Sequence, residues 1–120
     1  MSYVDGFVVA VPRDNKDAYA VEARKMWPVF RDHGALEMWE CWGDDVPDGK
    51  VTSFPMAVKA AEDEVVVFSW ILWPDRATRD KGNTAMMEDP RMKDLDMSAM
   101  PFDGKRMIYG GFAPLVHSTR

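Results

Sequence analysis

The run Val65-Val66-Val67-Phe68-Ser69-Trp70-Ile71-Leu72-Trp73 carries no charge and stops at Pro74. Its β-branched and aromatic content, and its length, predict a strand. One parity holds Val65, Val67, Ser69, Ile71 and Trp73; the other holds Val66, Phe68, Trp70 and Leu72. A strand of an antiparallel sheet with one solvated face should alternate apolar with polar. This one does not, so a sheet built around it needs cover on both sides.

The remaining elements follow from local signals. Tyr3 to Val11 reads as a first strand, stopped by Pro12, which has no amide hydrogen for a ladder. Asp14 is placed to cap a helix and Asp17 to favour its dipole. Tyr19, Ala23, Met26 and Phe30 give that helix an apolar stripe, Gly34 stops it, and Pro28 predicts a kink near Arg24 to Trp27. Ala35 to Gly43 is the second strand. The connection 44–63 begins with dense turn signals and holds a short candidate strand, Phe54 to Ala60; such a length predicts a functional loop or an extra hairpin. After the central run, Asp75 caps a second helix to about Glu88, weakened at Gly82 by about 1 kcal/mol relative to Ala. Asp89 and Pro90 start a further turn to Leu95, a Met-rich loop follows, and Arg106 to Val116 is the last strand. The order β-α-β-β-α-β is the split βαβ arrangement of ferredoxin-like α+β folds, a four-stranded antiparallel sheet with two helices on one face. With no linker or repeat, residues 1–120 form a single domain.

Two helices cover one face only. The other would expose far more than the roughly 300–600 Å² of apolar patch usual on a monomer. A second copy of the chain, packed sheet on sheet, is the economical cover and predicts a homodimer. The alternative is that the 44–63 connection folds back over the sheet. A net charge of −5 argues against nucleic acid and anionic lipid as partners. No apolar stretch is long enough to span a membrane, and the opening residues lack the pattern of a signal peptide. Cys41 is the only cysteine, so no intrachain disulfide forms. A reducing cytoplasm is the expected location.

The stretches YVDGFVVAVP, ECWGDDVPDGKVTSF, EDEVVVFSW, DPRMKDL and MPFDGKRMIYGGF together closely resemble the YbaA-like family of small bacterial proteins of unknown function. The likeness runs over nearly the whole chain. It implies the dimeric α+β barrel superfamily, in agreement with the two-faced strands. That superfamily holds cofactor-independent monooxygenases, haem-handling enzymes, lactone isomerases and proteins without a known reaction, so it implies a fold and a cleft but no chemistry. No catalytic residue carries over.

Among the chemistry-bearing residues, Glu40-Cys41-Trp42-Gly43-Asp44-Asp45 is the richest run. Its carboxylates suit acid and base roles if burial separates their pKa values; they equally suit a solvated turn with Glu40 on the rim. Cys41 lacks a basic neighbour in sequence and reads as an inert thiol. His33, at a helix C-terminus, and His117, in the tail, make no metal-ligand spacing, and no cofactor motif is present. Asp5 inside an apolar strand needs a partner; Arg106, entering the neighbouring last strand, is the expected one. Trp42, Trp70 and Tyr109 are the expected lining of a cleft. Gly110 and Gly111 suggest a bulge or a close backbone approach, such as that of a partner chain.

Two functional readings stand. In one, the homodimer holds an apolar cleft that binds or transforms a small molecule, by cofactor-independent oxidation or isomerisation, with Asp5, Glu40, Arg106 and Tyr109 as the polar candidates. In the other, it is a non-catalytic binding or assembly protein with a filled core. A deep pocket with convergent polar groups distinguishes the first from the second.

Overall fold

A computed structural model describes residues 1–120. The elements are β1 (Tyr3–Pro12), α1 (Lys16–Asp32), β2 (Glu37–Trp42), α2 (Phe54–Ala57), β3 (Glu64–Trp73), α3 (Arg76–Glu88), α4 (Pro90–Lys93) and β4 (Ile108–Phe112), with single 3-10 turns at Arg13–Asn15, Met97–Ala99 and Gly104–Arg106. The four strands lie in the order β2-β3-β1-β4, all antiparallel. The split βαβ sheet expected from the sequence is therefore present, with β1 and β3 at its centre. The register pairs Phe7 with Ser69 and Tyr109, and Ser69 with Glu40. Tyr3, Asp5, Phe7, Val9 and Val11 consequently share the helix-covered face with Met38, Glu40, Trp42, Ser69, Ile71, Trp73 and Tyr109.

Local chemistry accounts for several boundaries that differ from expectation. Asp14 lies inside the first 3-10 turn, and Asn15 takes the N-cap position of α1 without a capping bond. The Asn15 side chain instead donates to the Pro101 carbonyl at 3.0 Å. Residues Phe54 to Ala57 are not a strand. Ser53 accepts from the Met56 amide at 3.1 Å and Pro55 sits in the first turn, a pairing that starts a helix. The last strand is shorter than expected, because Arg106 is spent on Glu64 and the residues from Ala113 onward are exposed. Asp75 and Asp89 cap α3 and α4 as their positions predict. Helix α1 continues through Pro28, and Gly34 follows it with φ of 108°, the left-handed region that favours glycine.

Asp5 is 6% exposed in the layer between sheet and helices, and its partner is not Arg106. Arg79 of α3 reaches it, with Nε at 3.0 Å and Nη2 at 2.9 Å from Oδ1, while the Trp73 indole donates to Oδ2 at 3.0 Å. Arg106 enters the sheet on the far side of β1's length and forms a two-pronged pair with Glu64, at 2.7 Å for both bonds. Gly111 lets this cluster close up, since a Cβ there would meet Tyr3 and Arg79; Gly110, its neighbour in a regular register with β1, lies on the opposite sheet face beside the Phe112 ring.

The insertion does fold back. Val58 and Ala60 pack on Val8, Ala10 and Val66, covering one end of the second sheet face. They leave Trp39 (50% exposed), Phe68 (43%) and Phe112 (61%) open on it. Trp39 stacks on Trp70 at 5.4 Å, Trp70 neighbours Phe68 at 5.6 Å, and Phe54 of α2 closes the row against Phe68 at 5.8 Å.

Two stability tests follow from this packing. Asp5→Ala strands the Trp73 N–H and leaves Arg79 with Asp80 alone, and is expected to cost about 2 kcal/mol in urea unfolding. Gly82→Ala should destabilise by about 1–2 kcal/mol despite its better helix propensity. A Cβ there would sit 2.7 Å from the His33 carbonyl oxygen and 2.8 Å from the Trp73 ring, and overpacking outweighs propensity. A rise in unfolding midpoint for Gly82→Ala would contradict this packing.

Candidate functional site

A cavity of about 210 Å³ lies under the helix-covered face, between the sheet floor, α1 and the segment from Met92 to Met107. Phe7, Val9, Met38, Ser69 and Ile71 make the floor. The α1 stripe of Tyr19, Ala23, Met26 and Phe30 makes one wall. The stripe has the helical spacing read from the sequence, and its smallest member, Ala23, is among the residues that line the space. The Met-rich segment makes the other wall, so six methionines line the space. Methionine fills irregular gaps and adapts to what it touches.

The Met-rich wall is fastened at both ends by charge. Asp89 sits between His33 (2.9 Å) and Arg91 (2.7 Å), and Arg91 also reaches Asp32 at 3.0 Å. These bonds, Arg91 first and then His33, hold the Asp89 carboxyl far below the ordinary carboxylate range. At the other end Arg106 lowers Glu64, and it donates to the Lys59 carbonyl at 2.8 Å. Between the two clamps, the bond from Asn15 to Pro101 is the polar tie to the body of the fold.

Of the residues expected at a site, Glu40 lines the cavity. Tyr19 donates to its Oε1 at 2.8 Å, and the Ser69 hydroxyl, its register partner on β3, also stabilises the carboxylate. Crowding by protein raises the Glu40 carboxyl above its ordinary range, and the Tyr19 and Ser69 bonds oppose that rise. Burial first, and then the Glu40 charge, push the Tyr19 phenol upward. Glu40 nevertheless keeps an open side to solvent, so it stands at the mouth of the cavity rather than in its depth.

The other expected residues are elsewhere. Asp5 shares the layer but is committed to Arg79, and Arg106 belongs to the clamp on Glu64. Trp70 points to the opposite sheet face. Tyr109 stacks on Phe7 at 6.4 Å but is 74% exposed, because β4 is an edge strand. Trp42 packs beside Val9, Val11 and Val67 with the Lys16 ammonium 5.5 Å over its ring, outside the cavity. Cys41 is half-buried on the opposite face, in register with Phe68. No three His, Cys, Asp or Glu side chains come together as a metal would require, and no helix is long and apolar enough to cross a membrane.

Residues 2–104 match the model of a family described as a protein of unknown function, DUF1428. The chain belongs to that family. It is 63% identical over 116 residues to the uncharacterized protein YbaA of Escherichia coli strain K12, covering 97% of this chain and 98% of that one, and equally to YbaA of Shigella flexneri. Solved structures with the same fold include an uncharacterized NIPSNAP domain protein from Burkholderia xenovorans, at a TM-score of 0.63 and 12% identity over 98% of this chain and 99% of that one. A dimeric ferredoxin-like protein from an uncultured marine organism aligns at a TM-score of 0.60 and 13% identity, over 99% and 98% of the two chains. The ferredoxin-like α+β fold of this DUF1428 member is thereby established independently of the strand pattern.

The raised carboxyl of Glu40 yields a signed test. A carboxylate with a raised folded-state pKa stabilises the fold below its ordinary range, and that contribution is lost as pH rises through the folded value. Glu40→Gln is therefore expected to raise the melting temperature at pH 7 and to bring no gain near pH 4. Solvent access keeps the difference under about 1 kcal/mol. A gain that grows toward acid would refute the crowded environment.

Proposed function

We propose that the chain acts as a homodimer, a dimeric α+β barrel, whose cavity between sheet and helices binds a small apolar molecule. The observation that carries the binding reading is the convergence of Glu40, Tyr19 and Ser69 on one edge of a mainly apolar space. Ligand sites have this make-up, an apolar lining with a few placed polar groups that orient the guest. A filled interface between sheet and helices would have left no such space.

The row Trp39, Trp70, Phe68 and Phe112 on the other sheet face supports the dimer, since apolar aromatics exposed side by side favour a protein partner. The related fold described as dimeric supports it as well. Covering this face with a second copy leaves the cavity of each protomer on the outer side, so binding and assembly use opposite faces of one sheet.

Among cofactor-independent reactions, isomerisation is the one for which the lining supplies a group. Glu40, with its raised pKa, takes a proton from a carbon of the bound molecule and returns it to another, while Tyr19 and Ser69 hold the carboxylate in place. An oxidation would use the cavity as an apolar enclosure for a molecule that itself reacts with oxygen.

Two measurements test the reading. Sedimentation at micromolar concentration should give a dimer, and Trp70→Lys a folded monomer; a wild-type monomer refutes the assembly. Ethylbenzene added to the full chain should shift the methyl resonances of Met26, Met38 and Met107, and Ala23→Phe should abolish those shifts. Unmoved methionine signals at saturating ethylbenzene refute the cavity as a binding site.

A further inference from the structure

The cavity is one-sided in charge. Glu22 and Glu40 are its charged lining residues, and no lysine, arginine or histidine reaches it. Glu22 is matched by Lys25, whose Nζ lies 3.2 Å from Oε1. Glu40 is not matched. Its hydrogen bond comes from a neutral hydroxyl, that of Tyr19, and its register partner Ser69 is neutral as well, while Lys16 lies over the Trp42 ring. A carboxylate offers about four lone-pair sites, so Glu40 retains acceptor capacity toward the cavity mouth after the Tyr19 hydroxyl is served.

The rest of the lining is suited to the same sign of charge. Methionine sulfur is polarisable, and the faces of Phe7, Phe30 and Phe102 carry the negative side of the aromatic quadrupole, which attracts cations. An anionic guest would meet the Glu40 carboxylate with no counter-charge beside it. A cationic guest would meet the one group of the cavity that lacks a counter-ion.

We propose that the ligand is a small apolar amine bound as its ammonium ion, its head on Glu40 and its hydrocarbon body among the methionines and Phe102. This rests on the binding function proposed above and narrows it to a class. Size sets the scale: a dry cavity of roughly 150 Å³ accepts benzene, so about 210 Å³ suits a guest one or two carbons larger with a head at the mouth. Phenethylamine has those dimensions.

Isothermal titration of the full chain with four matched probes tests the assignment: ethylbenzene, 2-phenylethanol, phenethylamine and phenylacetate. Phenethylamine is expected to bind about tenfold tighter than ethylbenzene, the scale of one charge-assisted hydrogen bond, and phenylacetate the weakest of the four. Glu40→Gln should weaken phenethylamine about tenfold and leave ethylbenzene within about twofold, which also shows that the variant is folded. Phenylacetate binding as well as phenethylamine, or a Glu40→Gln variant that keeps full amine affinity, overturns the ligand class while ethylbenzene binding keeps the cavity function. Equal affinity for 2-phenylethanol and phenethylamine overturns the ammonium assignment in favour of a neutral donor. Binding of none of the four overturns both the class and the binding function beneath it.

Discussion

A carboxylate placed between a sheet and its helices must be matched, and the pairing of Asp5 with Arg79 sets how this fold closes. Asp5 is on the central strand β1, Arg79 is one turn into α3, and Trp73 at the end of β3 donates the third bond. Three elements therefore meet at one buried charge pair. Such a pair contributes little net stability compared with apolar packing, but breaking it leaves an unmatched charge, so it specifies one docking of α3 over others. Gly82 and Gly111 serve that docking from opposite sides, since each lets neighbouring atoms approach where a methyl group would not fit. With α3 pinned at this end of the sheet, the other end is roofed by α1 and the Met-rich segment alone, and the cavity lies there.

The central strand's two apolar parities thus serve two different surfaces. The parity of Val67, Ser69, Ile71 and Trp73 faces the helices; Ser69, the only polar member, falls under the cavity beside Glu40. The parity of Val66, Phe68, Trp70 and Leu72 faces away. There Val58 and Ala60, just after α2, cover Val8, Ala10 and Val66, and the aromatic row beyond them stays open. Helix α2 covers only part of this face: one helical turn spans about 6 Å, against a strand of ten residues that runs to roughly 33 Å.

Much of the fold was legible because its signals are local. Strand β3 shows as an uninterrupted β-branched and aromatic run, Asp75 and Asp89 as caps, and Gly34 as a stop. The places where sequence reading failed are those where side chains far apart in the chain compete. Asn15 forgoes capping α1 for the carbonyl of Pro101. Asp5 takes Arg79 over Arg106, a choice between a helix residue and a strand residue that adjacency of β1 and β4 does not decide. The signal was present: Arg79, Gly82 and Met86 recur at helical spacing on the buried side of α3, and a charge on that stripe needs a buried partner. For the site, Glu40 was legible as a carboxylate at a strand end. Its partners were not, because Tyr19 looks like any member of an apolar stripe and Ser69 like an incidental break in an apolar strand. Trp70 and Tyr109 were misplaced for one reason: aromatic content says nothing about which sheet face, or how central a strand, a residue will occupy.

The small residues decide whether the cavity is an accident of packing. Ala23 and Ser69 stand where larger apolar side chains would reach across and close it, and Glu40 stands where a leucine would remove the need for a hydroxyl partner. At the usual rate of about 24 cal/mol per Å³, a dry void of 210 Å³ would cost on the order of 5 kcal/mol, comparable with the whole net stability of a small domain. The opening beside Glu40 lowers that cost by admitting water, but water gains few partners among six methionines and three phenylalanines. Space that is expensive when empty and poor for water is space that an apolar guest fills with gain. Glu40, the lining carboxylate without a counter-ion, then decides the charge of the guest's head.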